Sequence, residues 1–215
     1  MPYSVSQPHS KFFLACIAGW VGLCLASLMP LWTYQNQDGE LSRLKEQWPA
    51  SSQLRFSTQQ PTLLMFVHPR CPCSRASMGE FARMMERLNG HVSARILFYA
   101  PESESQDWHQ TDMWKTAMEI EGTSISADTN GKEATIFDVH VSGQTFLFDQ
   151  QGELLFQGGL TVSRGHEGLS SGRMAVESLA LSRPSAITSH AVYGCSLFSS
   201  CTESSQPASI SGGQE

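Results

Sequence analysis

Two cysteines separated by one residue stand where an apolar run gives way to a helical pattern. The run covers Thr62 to Val67, and the segment that follows it reads His68-Pro69-Arg70-Cys71-Pro72-Cys73-Ser74. A thiol at the start of a helix lies near the positive end of the helix dipole, which favours the thiolate. Because Arg70 adds a neighbouring cation, we expect Cys71 to be the more acidic and more exposed thiol. It is the candidate nucleophile for thiol–disulfide exchange.

The second cysteine of this segment is a candidate resolving thiol. Cys73 would release a partner from Cys71, but a Cys-x-Cys disulfide closes a very small ring, so we expect that bond to be strained and oxidising. Alternatively, Cys71 acts alone, with Ser74 hydrogen-bonding its thiolate and with Cys195 or Cys201 as the resolving thiol. A redox-inert pair, or a structural disulfide to the C-terminal tail, also fits the pattern.

The same segment contains a possible metal-ligand set. Two thiolates and an imidazole, from Cys71, Cys73 and His68, suit Cu(I) or Zn, and His140 or His166 would be a fourth ligand. The spacing lacks a second Cys-x-x-Cys or a His-x-x-x-His pair. Thiol exchange, which needs no cofactor, is therefore the preferred hypothesis, and a Cu or Zn module is the alternative.

Two further segments bear on this site. Arg164-Gly165-His166 is a polar, glycine-flanked stretch that would either supply a partner for a thiolate or form a solvent-exposed turn. Cys195 and Cys201, the cysteines of the tail, would form a small disulfide loop of their own or pair with the active-site thiols.

An apolar segment near the N-terminus indicates export. Residues 12–29 carry no charged side chain, and their 18 positions are near the minimum that spans a bilayer as a helix. Trp32 and Tyr34 follow where interfacial aromatic residues belong, and Lys11 on the short N-terminal side favours an inside N-terminus. We expect an uncleaved membrane anchor with the domain facing the periplasm or cell exterior; a cleaved signal peptide and a buried core helix are the alternatives.

Composition excludes one class of function. The formal net charge is −6, with 14 basic and 20 acidic residues, and the basic residues form no cluster. Nucleic-acid binding is therefore not expected. In an exported compartment disulfides persist, so the expected partners are exported protein thiols or disulfides, together with the membrane that holds the N-terminal helix.

Alternation of short strands and helices begins at residue 62 and ends with a hairpin and a last helix. This order predicts an α/β fold, a mixed sheet flanked by helices. The predicted organisation is a short N-terminal segment (1–11), an anchor or uncleaved signal (12–34), a linker with a short helix (35–60), the α/β domain (61–183) and a Cys-containing, largely disordered tail (184–215).

Several motifs in this domain follow a familiar order. They are Leu64-Met65-Phe66 before Cys71-Pro72, then Ser126-Ala127-Asp128, Gly131 and Phe137-Asp138-Val139, and finally Thr145–Asp149 with Gly152-Glu153-Leu154 and Gly158-Gly159. In this order they resemble the thioredoxin-like superfamily, in particular its membrane-anchored periplasmic thioredoxins. Cys-Pro-Cys-Ser, Ser142-Gly143-Gln144 and Arg164-Gly165-His166 are similar to a RedB-like subgroup.

The resemblance implies a thioredoxin-like fold and an extracytoplasmic thiol–disulfide oxidoreductase or isomerase, with Cys71 and Cys73 as catalytic residues. It places Pro69, Pro72, Gly143 and Gln144 among the supporting residues, with His68, Arg70 and Ser74. Two departures stand out: Ser74 occupies the position of the family's second cysteine, and Gly143 that of its cis-proline. Both put the usual dithiol reductase activity in doubt and leave a non-catalytic interaction domain as a further alternative.

Overall fold

The computed structural model describes residues 8–42 and 46–198. The chain divides into two compact units between Gln37 and Asp38. The first contains one helix, α1 (Pro8–Gln35), whose stretch from Lys11 is long and apolar enough to cross a membrane. A signal sequence has the same properties, so the helix alone does not separate an anchor from a signal.

The second unit is built on one mixed sheet. Its strands are β1 (Thr62–Val67), β2 (Ser93–Ala100), β3 (Thr123–Thr129), β4 (Gln144–Phe148), β5 (Leu154–Gly158) and β6 (Ser189–His190); its helices are α2 (Ser74–Leu88), α3 (Asp112–Met118), α4 (Lys132–Ile136) and α5 (Ser171–Ala180). The order across the sheet is β3-β2-β1-β4-β5-β6. β4 is antiparallel to β1 and β5, whereas β2 is parallel to β1 and β3. The predicted mixed sheet flanked by helices is confirmed.

The two faces of β1 enter separate cores because alternate side chains of a strand point in opposite directions. On one face Leu63 and Met65 pack with residues of α2, α3 and α5. α2 buries Phe81, Met84 and Leu88, the helical spacing that the sequence predicts to face the sheet. Every residue of β1 is buried, which explains why the strand lacks polar alternation.

The opposite face is an aromatic core closed by the segment expected to be a linker. Trp48 lies 5.2 Å from Phe137 and 4.9 Å from Phe148, centroid to centroid, and Gln47 forms a bridge with Glu153. Among the described residues of 35–60, no helix follows α1. The predicted spacer helix lies partly on residues 43–45, outside the described residues, whereas Trp48, expected on that helix, packs against this core.

Two further segments differ from the prediction. The sequence pattern predicts a helix over 107–120, but the helix observed is Asp112–Met118; before it, Trp108 packs at right angles to His68 with ring centroids 5.5 Å apart. The tail is expected to be largely disordered apart from a packable patch at residues 193–198; that patch buries Leu197, and the packing starts earlier, with β6 beside β5 and with Val192 buried. Residues 199–215 lie outside the described part of the chain.

Candidate functional site

The sulfur of Cys71 lies in a tight turn between β1 and α2. The Cys71 N–H donates to the His68 carbonyl at 3.1 Å, and the Ser74 N–H donates to the Cys71 carbonyl at 3.1 Å. The helix begins at Ser74, with Cys73 as its N-cap. The first core strand thus delivers Cys71 to the N-terminus of α2, the location that the sequence predicts.

Cys71 is fully buried, so the expectation that it is exposed is wrong. The cover is the chain's own tail segment, defined here as residues 193–198. The Cys195 N–H donates to the Cys71 sulfur at 3.4 Å, and the sulfurs of Cys71, Cys73 and Cys195 all lie within 4.8 Å of one another. None of the three forms a disulfide within residues 8–42 and 46–198.

Hydrogen bonds lower the pKa of Cys71 to about 5 despite its burial. The largest contribution is a hydrogen bond from the Cys195 side chain; the Ser74 side chain and the backbone N–H groups of Cys195 and Ser74 act in the same direction. Burial alone would raise the pKa, because it penalises the charged form. Hydrogen-bond donors aimed at the sulfur therefore outweigh desolvation, and they favour a thiolate.

Arg70 does not take the role that its position in the sequence predicts. Its side chain is exposed and its guanidinium carbon lies 4.7 Å above the Trp108 ring, a cation–π contact. It is not among the groups that shift the pKa of Cys71. The predicted direction of the shift agrees with the structure, but its cause is hydrogen bonding at the helix start and from the tail.

Cys73 is half-buried, and the pKa of its thiol is raised rather than lowered. Burial raises its pKa most, and the nearby charge of Cys71 raises it further, whereas the Arg164 guanidinium lowers it by charge and by hydrogen bonding. Arg164 Nη1 also donates to the Gly194 carbonyl at 2.5 Å. Of the two outcomes predicted for the Arg164 segment, the structure brings Arg164 to the thiols, while His166 is exposed.

A chain of buried hydroxyl groups connects the cysteine turn to the loop before β4. The oxygens of Ser74 and Ser142 lie 2.6 Å apart, and the His68 N–H donates to the Ser142 hydroxyl at 2.7 Å. The Ser142 N–H in turn donates to the Cys195 carbonyl at 2.9 Å. Ser142 therefore links the turn that carries Cys71 to the tail that carries Cys195.

Gly143 and Gln144 follow Ser142 directly, where the loop enters β4. Gly143 has a φ of +93°, which proline cannot adopt because its ring fixes φ near about −65°. Its N–H donates to the Phe66 carbonyl at 2.7 Å, a bond that proline would also lose. Gln144 is fully buried, and its side-chain amide has no hydrogen-bond partner among the residues that the structure describes.

Two of the predicted metal ligands have other hydrogen-bond partners in the structure. His68 is buried, and its Nδ1 accepts a hydrogen bond from the Arg70 N–H at 3.2 Å. His140 Nε2 lies 2.9 Å from an Asp138 oxygen. Within residues 8–42 and 46–198, the group of ligand atoms suited to a metal consists of three thiols, Cys71, Cys73 and Cys195. The predicted Cys195–Cys201 loop involves Cys201, which lies outside the described residues.

Sequence reasoning did not find the ion-pair network that supports the Arg164 loop. Glu80 on α2 is buried and pairs with Arg173 of α5 at 2.6 Å. The other Glu80 oxygen accepts from the Gly168 N–H at 2.8 Å, and Arg83 pairs with Glu167. Glu80, Arg83 and Arg173 have the sequence context of a solvated helix face, and Glu167 lies in a loop, so no local pattern signals this network.

The comparisons with known proteins show the fold. No family model and no curated protein matches the chain. Among solved structures, the chain is similar to an uncharacterized conserved protein from Geobacillus kaustophilus, with 19% identity and a TM-score of 0.59 over 76% of this chain and 97% of that one. It is also similar to a hypothetical protein of Sinorhizobium meliloti 1021, with 14% identity and a TM-score of 0.56 over 76% and 100% of the two chains.

A third similar structure is the pneumococcal exposed lipoprotein thioredoxin, with 14% identity, a TM-score of 0.42 and coverage of 57% of this chain and 84% of that one. The chain has the predicted mixed α/β sheet flanked by helices, with a cysteine turn between β1 and α2. The fold prediction is therefore confirmed. The membrane-anchored subtype and the RedB-like subgroup stay predictions.

Proposed function

We propose that this protein exchanges thiols and disulfides with protein partners and that Cys71 is the attacking thiol. One observation carries the proposal: the Cys71 sulfur lies at the start of α2 with hydrogen bonds from Cys195 and Ser74, and its pKa is about 5. A thiolate, not a thiol, attacks a disulfide. At neutral pH the group is therefore in its reactive form before any partner arrives.

The reaction requires only sulfur chemistry. The Cys71 thiolate attacks one sulfur of a partner disulfide, so a mixed disulfide forms and the other partner sulfur leaves as a thiolate. A second thiol of this chain then attacks Cys71 and releases the bound partner, and two electrons have passed to the partner. Cys73, the resolving thiol predicted from the sequence, and Cys195 both lie within 4.8 Å of Cys71.

The proposed location is the outer side of a membrane, with α1 as the anchor. This helix is apolar from Lys11 to Gln35, and its exposed large side chains include Phe12, Leu23 and Trp32. Such a surface is costly in water and favourable in lipid. Exported protein thiols or disulfides are the proposed substrates, because disulfides persist in that compartment.

Turnover of a model disulfide tests the proposal. The reduced full-length chain in detergent is mixed with oxidised glutathione, and glutathione release is followed with dithiothreitol as the electron donor. Cys71→Ser is expected to lose the activity, because it removes the attacking sulfur. Cys16→Ser is the matched control, since this cysteine lies on α1, and it is expected to keep full activity. Equal rates for Cys71→Ser and the parent chain would disprove the proposal.

The cluster of three thiols supports one alternative function, the binding of Cu(I) or Zn. Thiolates are preferred ligands of both ions, and the cluster includes Cys195 in place of the predicted His68. Competition with a coloured Cu(I) chelator under reducing conditions tests this function. Metal retained by the parent chain and lost in Cys195→Ser supports it, whereas equal retention by both chains contradicts this ligand set.

A further inference from the structure

The tail segment forms β-type pairing beside the catalytic turn. Val141 and Ser196 form an antiparallel bridge. The Ser142 N–H donates to the Cys195 carbonyl at 2.9 Å, and the Leu197 N–H donates to the His140 carbonyl at 2.8 Å. Residues 140–142, called here the pairing edge, therefore bind an extended chain through its backbone. In this structure that chain is the protein's own tail.

Close packing holds the tail in this position. A Cβ on Gly194 would meet the Ser142 carbonyl oxygen well inside van der Waals distance, so only glycine permits this approach. Leu197 is 1% exposed and lies in the aromatic core, and Arg164 donates to the Gly194 carbonyl. The docked tail places the Cys195 N–H against the sulfur of the buried Cys71.

We propose that the tail segment is an internal substitute for the substrate strand and that Cys195, rather than Cys73, is the resolving thiol of Cys71. The inference rests on the proposed function and deepens it. A partner strand displaces the tail from the pairing edge and reaches Cys71. The tail then returns to the same edge, and its pairing brings Cys195 back to the sulfur that holds the partner.

The steps balance in atoms and electrons. The Cys71 thiolate attacks a partner disulfide; a Cys71–partner bond forms, the partner's S–S bond breaks and one partner thiolate leaves. The Cys195 thiol, after losing its proton to solvent, attacks the Cys71 sulfur; a Cys71–Cys195 bond forms and the second partner thiolate leaves. The partner is reduced and the chain oxidised by two electrons. A dithiol reductant restores the starting thiols.

Geometry favours Cys195 over Cys73 as the resolving thiol. Cys73, the N-cap of α2, has φ −67° and ψ −30°, and its disulfide to Cys71, two positions away, would close a very small ring. A bond between Cys71 and Cys73 would require the turn between β1 and α2 to distort. Cys195 approaches from a different segment, and its side chain already hydrogen-bonds the Cys71 sulfur.

Trapping of the intermediate identifies the resolving cysteine. Reduced full-length chains in detergent, all with Cys16 and Cys24 changed to Ser, receive a single equivalent of an aromatic disulfide whose thiolate is coloured. Acid quenching and peptide mass spectrometry then locate the bonds. The parent is expected to yield a Cys71–Cys195 cross-link and to release both halves of the reagent. Cys195→Ser is expected to stop with the adduct on Cys71 and one half released.

Three comparison variants make the result decisive. Cys73→Ser and the tail control Cys201→Ser are both expected to yield the Cys71–Cys195 cross-link. Resolution by Cys195→Ser at the parent rate, or an adduct retained in Cys73→Ser, would overturn the assignment of Cys195 and leave the proposed function intact. An adduct that forms with unchanged yield in Cys71→Ser would instead overturn the proposed function.

Alkylation tests whether the tail controls access to Cys71. Gly194→Ala is expected to speed iodoacetamide labelling of Cys71 about tenfold or more, because losing the two pairing bonds raises the open population. The rates are compared well above pH 9.0, the ordinary thiol pKa, so that ionisation is close to complete in both chains. Gly22→Ala is the control, because a Cβ added at this position would meet nothing within 4 Å. Its Cys71 is expected to be labelled at the parent rate.

A second variant keeps the test informative if Gly194→Ala misfolds. Arg164→Gln removes the side-chain bond to the Gly194 carbonyl without adding bulk, and it is expected to speed labelling by a smaller factor. Far-ultraviolet circular dichroism confirms that each variant is folded. Unchanged labelling of Cys71 in folded Gly194→Ala and in Arg164→Gln would show that the tail does not limit access and would overturn the gating role.

Discussion

The backbone N–H of Cys195 donates to the sulfur of Cys71 across 3.4 Å, joining residues 124 positions apart in the chain. This contact connects two properties of the site. The same tail that buries Cys71 also supplies the largest stabilisation of its thiolate. Displacement of the tail would therefore expose the sulfur and raise its pKa at the same time.

Substitution of Cys195 is expected to raise the pKa of Cys71. Cys195→Ala removes the side-chain donor that lowers this pKa most and leaves burial to oppose the charge. Cys195→Ser keeps a hydroxyl donor, so it is expected to cause a smaller rise. The thiolate absorbance of Cys71 across pH measures both values. Equal pKa values for Cys195→Ala and the parent chain would exclude Cys195 as the main stabilising partner.

The Glu80–Arg173 pair is expected to contribute far more to stability than an exposed ion pair. Both side chains are nearly inaccessible, so Arg173→Met leaves Glu80 buried with one fewer counter-charge, at a cost of about 3–5 kcal/mol in the free energy of unfolding. Arg75→Met breaks the exposed pair with Asp112 and is expected to change the free energy of unfolding little, because solvent screens such a pair. Urea unfolding of both variants measures the contrast; equal losses would contradict it.

Proline at position 143 is expected to destabilise this chain. Gly143→Pro conflicts with a φ of +93° and removes the bond to the Phe66 carbonyl, so we expect a loss of about 3 kcal/mol or more. Gly143→Ala keeps the N–H and is expected to cost less, about 1–2 kcal/mol. Thermal unfolding gives the order of stability, glycine first and proline last. A proline variant as stable as the parent chain would contradict this backbone assignment.

Much of the fold could be predicted from local patterns. Thr62–Val67 is predicted and observed as a buried strand, because a continuous apolar run between prolines suits a central strand. The spacing of Phe81, Met84 and Leu88 predicts a helix over 74–89, and the observed helix is Ser74–Leu88. These elements are determined by residues close to one another in the chain.

Contacts between distant segments could not be predicted. The sequence suggested Arg70 as the partner of Cys71, but Trp108 attracts that guanidinium. Cys195 was an open alternative, because no local pattern shows that the tail pairs with residues 140–142. Trp48 was assigned to a linker for the same reason: its aromatic partners belong to segments far along the chain.

Ionisation of Cys71 should make stability depend on pH. Its pKa is lowered from 9.0 to about 5, so its contribution is fully present above the unfolded value and is lost as pH falls through about 5. The thiols that face it are Cys73 and Cys195, with Arg164 against Cys73. Because the pKa of Cys73 is raised from 9.0, its ionisation affects stability only at higher pH. The stability difference between the parent chain and Cys71→Ser is therefore expected to shrink from pH 9 to pH 5; a constant difference would contradict the shift.

The central claim is that Cys71 is a thiolate at neutral pH, and a direct titration tests it. The ultraviolet thiolate absorbance of the full-length reduced chain is recorded across pH, and the curve of Cys71→Ser is subtracted. The account predicts a midpoint near the value of about 5 that the hydrogen bonds of Cys195 and Ser74 produce. A midpoint near 9.0, the ordinary thiol value, would contradict it.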